Sequence, residues 1–92
     1  MNSKTTDRFW KCHLKLPVEI KKLSKNAYKL FLIDPYHPSL HFKRVHSTRP
    51  VFSIRITKDY RALGLLNNND IVWFWIGSHS DYDNLVRQLR NK

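Results

Sequence analysis

The first third of the chain spaces its hydrophobic residues as α-helices do. Behind the polar residues Thr5 to Asp7, which can cap a helix, the segment Phe9 to Leu16 has the spacing of a short helix. A second helix is predicted to begin at Pro17, which suits a first helical turn, and to end at Asp34, because a residue before proline is pushed out of helical geometry. Its buried stripe comprises Ile20, Leu23, Ala27, Leu30 and Phe31. Together these segments predict a helical hairpin.

The hydrophobic period changes after the hairpin. Val51 to Thr57 alternates apolar and polar residues, which predicts a strand with one buried face. Leu40 to His46 alternates less regularly, and Tyr60 to Leu66 is also typical of a strand. Ile71 to Ile76 is apolar throughout, which predicts a strand buried on both faces. Because short connections join these strands, including a turn at residues 67–70, we expect a four-stranded antiparallel sheet.

The last segment predicts a third helix and completes the fold class. Ser80 and Asp83 have the spacing of a capping box, and an apolar stripe follows at Tyr82, Leu85, Val86 and Leu89. We therefore predict an α+β fold in which an N-terminal helical hairpin packs on the four-stranded antiparallel sheet with a C-terminal helix, all helices lying on one face. A short first strand in place of the first helix is an alternative. Residues 1–92 are expected to form one domain.

Charge is the compositional feature that changes this picture. The chain has 17 Lys and Arg against 7 Asp and Glu, a formal net charge of +10. A surface this basic attracts phosphate polyanions and acidic proteins. Cys12 is the single cysteine, so neither a disulfide nor a cysteine-based zinc site is expected, and no cofactor or metal is predicted. With no apolar run near the ~18 residues of a membrane span, we expect a cytoplasmic protein.

The cations on the predicted sheet are candidates for phosphate binding. Arg55 lies on the polar side of its strand, and Arg61 lies on the next strand. Both can act as phosphate clamps. Alternatively, one of these arginines pairs with Asp59 or Asp70 and has only a structural role. The predicted nucleic-acid-binding set is Lys43, Arg44, His46 and Lys58.

His79 and Tyr82 add acid–base groups beside the predicted start of the last helix. RNA cleavage without a metal requires a base for the 2′-hydroxyl proton, cations for the phosphorane charge and an acid for the leaving oxygen. Imidazole titrates nearest neutral pH, and a phenol can donate a proton. The catalytic set predicted for this chemistry is His79, Arg61, Tyr82 and Arg55. In the structural alternative, His79 packs at a strand-to-helix junction and Tyr82 begins the apolar stripe.

Two tryptophans of the last strand provide a further expectation. Trp73 and Trp75 are two residues apart, which places them on one face of a regular strand. We interpret them as core or interface aromatics rather than as platforms for stacked bases.

Three segments together resemble the RelE/ParE superfamily of toxins from type II toxin–antitoxin modules, in its ParE-like branch. The segments are Pro35 to Val45, Val51 to Leu63 and Trp73 to Asp83, the last containing the element His-x-x-Tyr-Asp. The resemblance implies a small basic toxin whose acidic antitoxin covers the helical face. It also implies that Arg55 and Arg61 match arginines of the family's strands, with His79 and Tyr82 in the C-terminal element. His46 is the reserve candidate for the general base.

Three functions remain open at this stage. The first, implied by relatives that cleave mRNA, is a metal-independent, ribosome-dependent mRNA endoribonuclease that inhibits translation. The second is a non-enzymatic ParE-type inhibitor of DNA gyrase, neutralised by an acidic antitoxin. The third is a basic RNA-binding module without toxicity.

Overall fold

The computed structural model describes residues 1–90. The elements along the chain are β1 (Asn2–Thr5), α1 (Asp7–Leu14), α2 (Val18–Ile33), a 3₁₀ turn (Pro38–Leu40), β2 (Lys43–Arg44), β3 (Val51–Thr57), β4 (Tyr60–Asn67), β5 (Asp70–Ser78) and α3 (His79–Arg90). Within this part of the chain, no helix is long and apolar enough to cross a membrane.

The five strands form one mixed sheet in the order β1-β5-β4-β3-β2. β1 runs parallel to β5, and the other neighbours are antiparallel. The α+β class is therefore confirmed, whereas the predicted four-stranded antiparallel sheet lacks β1. The sequence pattern allows a first strand only as an alternative to the first helix, but the structure contains both. Thr6 joins them, because its backbone N–H donates to Trp73 O (3.0 Å) and its hydroxyl accepts from the N–H of Phe9 (3.2 Å).

β2 is much shorter than the predicted strand Leu40 to His46. Leu40 ends the 3₁₀ turn and is buried, and His41 follows with a left-handed φ of 47°. This geometry turns the chain sharply, so only Lys43 and Arg44 pair with β3. Beyond β2, the chain closes a loop in which Val45 N donates to Val51 O at 2.8 Å.

The helices lie on both faces of the sheet, so the prediction that all of them share one face is wrong. Buried residues of α1 and α2, including Phe9 and Phe31, pack with one set of strand residues. Tyr82 and Val86 of α3 pack with a different set, which includes Leu63. The apolar run Ile71 to Ile76 of β5 explains this arrangement, because a strand that is hydrophobic on both sides requires a cover on each.

Trp73 and Trp75 lie on opposite faces, contrary to the expectation from simple alternation. Trp73 belongs to the core under the hairpin, whereas Trp75 belongs to the core under α3. The cause is a β-bulge: Leu63 pairs with Trp75 and the adjacent Gly64 pairs with Trp73, which leaves Phe74 as the extra residue. A bulge shifts the inward and outward positions of a strand by one.

Candidate active site

Arg55 and Arg61 are direct partners across β3 and β4. Val51 on β3 and Leu63 on β4 are an even number of residues from Arg55 and Arg61 respectively, so they share a face of the sheet with the arginines. Both belong to the core under α3, and the arginines therefore lie on the face that α3 covers. Two like charges directly opposite each other destabilise a sheet. The pair therefore concentrates positive charge on one face.

Within residues 1–90, the Arg61 guanidinium has no carboxylate partner and no hydrogen-bond acceptor. Its Cζ lies 5.4 Å from the centre of the Tyr82 ring, a cation–π contact. Its Nε and Nη1 are buried and make no hydrogen bond. Within residues 1–90, neither arginine forms an ion pair, so the alternative of pairing with Asp59 or Asp70 is not observed. Buried donors without acceptors cost free energy, and a bound anion would satisfy them.

His79 is the first residue of α3 and lies beside the same tyrosine. Its ring centre is 5.7 Å from that of Tyr82, with the two planes at 76°. Its Nδ1 is 3.4 Å from Asp83 Oδ2, one helical turn later, which is an ion-pair distance without hydrogen-bond geometry. The His79 backbone N–H donates to Asp59 O at 2.6 Å and so ties the start of α3 to the β3–β4 turn. The side chain remains 45% exposed, which leaves it accessible to a substrate.

The four predicted catalytic residues therefore converge around the Tyr82 ring. Arg61 and His79 each contact the ring, and Arg55 lies beside Arg61. Tyr82 is itself buried in the core under α3, so its structural interpretation holds as well.

The remaining predicted cations are spread around this group. Lys43 pairs with Ser53, two residues from Arg55, and so lies on the same face at the edge of the sheet. Lys58 is exposed in the β3–β4 turn. Arg44 pairs with Phe52, and its Nε donates to the carbonyls of His46 (3.0 Å) and Arg49 (3.2 Å). Lys43 and Lys58 thus border the site, whereas Arg44 is engaged in a loop.

His46 is buried and has no ring nitrogen available for a substrate. Its Nδ1 accepts from the backbone N–H groups of Thr48 (3.1 Å) and Arg49 (2.9 Å), so it carries no proton. Its Nε2 must then carry the proton, and it lies 2.9 Å from Leu89 O of α3. This position does not favour the expected contact with nucleic acid or the reserve role as general base.

Two residues near the site have surroundings that the sequence pattern does not predict. The spacing predicts a capping box of Ser80 and Asp83, but α3 begins earlier, and the Ser78 hydroxyl accepts from the N–H of Asp81 at 3.2 Å. The spacing of four residues from His79 was the signal for its actual contact. Ser53, fully buried beside Lys43, has a hydroxyl oxygen without a partner, and no sequence signal marks it.

On the opposite face, an apolar cleft of about 250 Å³ opens between the hairpin and the sheet. Trp10, His13 and Tyr28 line it, and Lys25 lies on its rim. Burial lowers the pKa of His13, and the positive charges of Lys21 and Lys25 lower it further. The cleft thus combines aromatic walls with cations.

The comparisons with known proteins concern this fold. The family model of the ParE-like toxin domain matches residues 18–84. No curated protein matches the sequence. Among solved structures, the RelB–RelE antitoxin–toxin complex from Methanococcus jannaschii has a similar chain, with a TM-score of 0.73, 16% identity and coverage of 89% of this chain and 96% of that one.

Two further solved structures share the fold. YafQ from Escherichia coli has a TM-score of 0.69 at 13% identity, covering 88% of this chain and 96% of its own. The YoeB/ParE toxin from Agrobacterium tumefaciens has a TM-score of 0.67 at 12% identity, covering 86% and 99% respectively.

Proposed function

The chain belongs to the ParE-like toxin domain family and is a toxin of the type II toxin–antitoxin kind; from that premise we propose that it is a metal-independent endoribonuclease that cleaves mRNA on the ribosome. The observation that carries this proposal is the unpartnered Arg61 guanidinium, beside Arg55 and against the ring that also contacts His79. Phosphate is the ligand that suits paired arginines, and acid–base groups next to it suit cleavage of the phosphodiester.

In the proposed reaction, Arg55 and Arg61 hold the phosphate to be cleaved. The substrate's 2′-oxygen attacks phosphorus, and the bond from phosphorus to the 5′-oxygen breaks, which leaves a 2′,3′-cyclic phosphate and a free 5′-hydroxyl. The arginines stabilise the negative charge that grows on the phosphorane oxygens. The buried Nε and Nη1 of Arg61 are already in place and require no reorganisation.

His79 is proposed to move the proton. Asp83 favours the proton on Nδ1 of the ring, so Nε2 is left as the nitrogen that accepts the 2′-hydroxyl proton. The same proton, or one from the Tyr82 phenol, is then delivered to the leaving 5′-oxygen. Tyr82 also orients the other two groups, since its ring contacts both Arg61 and His79. Lys43 and Lys58 are proposed to contact the flanking RNA backbone.

We also propose that the partner is an acidic antitoxin bound over the hairpin. The M. jannaschii structure is of an antitoxin–toxin complex, which supports a partner of this type. In this chain the apolar cleft and the lysines of α2 match an acidic amphipathic helix.

Growth of an induced bacterial culture tests the enzymatic proposal. Cells carry wild type, Arg61→Ala, Arg61→Lys or His79→Ala, and mRNA ends and trapped gyrase complexes are measured in the same culture. We expect growth arrest and cut mRNA with wild type only, because a lysine cannot reproduce the two-pronged contact of a guanidinium. Arrest by wild type with intact mRNA and trapped gyrase would instead establish a gyrase inhibitor. Harmless expression of folded wild type would favour a plain RNA-binding module.

A further inference from the structure

We propose that His46 is a positioning residue that fastens the last turn of α3 to the β2–β3 loop and thereby holds Tyr82 against Arg61. The consequence for chemistry rests on the proposed endoribonuclease function, whereas the fastening itself does not.

The contact between His46 and Leu89 closes the far end of α3. The final carbonyls of an α-helix have no partner inside the helix. Leu89 lies in the last turn of the described helix, His79–Arg90, and the His46 N–H donates to its carbonyl oxygen from 43 residues away in the chain. A donor at this end also suits the negative end of the helix dipole. His46 therefore caps α3 from outside the helix.

The loop that carries His46 is held by its own hydrogen bonds. The N–H groups of Thr48 and Arg49 donate to His46 Nδ1, while Arg44 Nε donates to the carbonyls at both ends of the loop. These bonds fix the ring plane and its tautomer. The donor that meets Leu89 is thus presented from a fixed support.

α3 transmits this constraint to the candidate site. Tyr82, Val86 and Leu89 follow one another at spacings of four and three residues, so they share the side of the helix that faces the sheet. Tyr82 and Val86 are buried, Leu85 and Leu89 are partly buried, and the remaining residues from 80 to 88 are exposed. From Tyr82 to Leu89 the helix rises ~10 Å, or two turns, as one rigid piece. With so narrow a buried stripe, the bond at the last turn adds to the His79–Asp59 bond at the first turn in holding Tyr82 against Arg61.

Three variants separate the two halves of the His46 contact. His46→Gln places an amide N–H near the position of Nε2 and keeps the bond to Leu89 O while losing the acceptor for the loop. His46→Asn places an oxygen near the position of Nδ1 and keeps the loop but cannot reach Leu89. His46→Ala loses both contacts.

Two readouts are independent of catalysis: hydrogen exchange of the α3 amides and the NMR resonance of Arg61 Nε–H. Because Arg61 Cζ lies 5.4 Å from the centre of the Tyr82 ring, this resonance is expected to respond when the ring moves. One hydrogen bond changes a local opening equilibrium by about two- to tenfold. We expect α3 exchange to accelerate by about that factor in His46→Asn and His46→Ala and to stay near wild type in His46→Gln. The Arg61 resonance should shift in the first two variants only.

Cleavage kinetics then test the consequence. We expect kcat to fall in His46→Asn and His46→Ala with KM nearly unchanged, and to be retained in His46→Gln. Unchanged α3 exchange in His46→Asn would overturn the proposal. An equal loss of kcat in His46→Asn and His46→Gln would also overturn it, because it would indicate a general packing role. Faster exchange with unaltered kcat would remove the link to the site. If wild type does not cleave RNA, the proposed function fails, but exchange and the Arg61 resonance still decide whether His46 holds α3 in place.

Discussion

The sheet face under α3 and the face under the hairpin are built from the same strands but carry charge in different ways. Under α3 the cations are part of the sheet, and Arg61 buries two nitrogens without a partner. Under the hairpin the buried strand residues are apolar, and cations such as Lys25 lie on a helix at the rim of the cleft. Buried unpaired donors reduce stability, whereas lysines at a rim cost little. This difference fits the two proposals, an RNA substrate on the face under α3 and an antitoxin over the hairpin.

The largest expected effect is a loss of RNA cleavage when a cation is removed from the face under α3 but not when one is removed from the hairpin face. Arg61→Ala should reduce mRNA cleavage by about 100-fold, the usual cost of removing one donor to a charged transition state. The matched variant Lys25→Ala, on the hairpin face, should leave cleavage near wild type. Single-turnover cleavage on translating ribosomes measures both. Equal losses would show that the cations act through net charge, and the comparison of faces would fail.

Tyr82 tests whether the face under α3 performs chemistry or only packs. Tyr82→Phe keeps the ring in the core and its contact with Arg61, so we expect the free energy of unfolding to change by less than about 1 kcal/mol. Loss of the phenol should still lower cleavage by about tenfold, less than the roughly 100-fold of a full general acid, because His79 can deliver the proton in its place. Urea denaturation and cleavage rates are compared on the same preparations. Full activity in Tyr82→Phe would restrict the residue to packing and orientation.

Lys43 tests how far the RNA surface extends along the sheet. Lys43→Ala should reduce the slope of log affinity against log salt concentration by about one, as expected for one lost phosphate contact. Lys22→Ala, an exposed lysine on α2, is the control and should leave the slope unaltered. Titration of a labelled single-stranded RNA at several salt concentrations gives both slopes. A slope that falls in Lys22→Ala and not in Lys43→Ala would place the RNA on the hairpin face and contradict the proposed RNA surface.

The smallest expected effect is a loss of folding stability at acid pH that arises from His13 on the hairpin face. Burial and the nearby lysines lower the pKa of His13 below its usual 6.5, so below pH 6.5 the unfolded chain binds a proton that the folded chain does not. Stability should therefore fall as the pH is lowered from 6.5 toward the His13 pKa of the folded state. His13→Gln should lose less stability over the same window. Urea denaturation at several pH values measures this difference, and parallel curves would contradict the assigned cause.

Much of the candidate site followed from simple periodicity. Alternation along β3 placed Arg55 away from the hairpin core, and cross-strand pairing then brought Arg61 beside it. His79 was located because an apolar strand ends just before it. These inferences use spacings of a few residues, which local backbone geometry fixes.

The rest depended on contacts that no local pattern encodes. β1 is polar and gains its place only by pairing with β5, nearly seventy residues away. The bulge at Phe74 moves Trp75 to the other face, and Gly64, which lies opposite it on β4, does not by itself fix where the extra residue falls. His46 has a neighbourhood typical of a basic surface, yet its partner is a carbonyl of the last helix. Such long-range partners require the folded chain.

The central claim is that Arg55, Arg61, His79 and Tyr82 form a site for metal-free RNA cleavage. The most direct measurement adds the purified toxin, treated with EDTA beforehand, to ribosomes that are translating an mRNA. It compares the unmodified message with a message that bears one 2′-deoxynucleotide at the mapped cut. We predict cleavage of the unmodified message to a 2′,3′-cyclic phosphate end, none at the deoxy position and none with His79→Ala. Cleavage that persists at the deoxy position, or intact message from active toxin, would contradict the account.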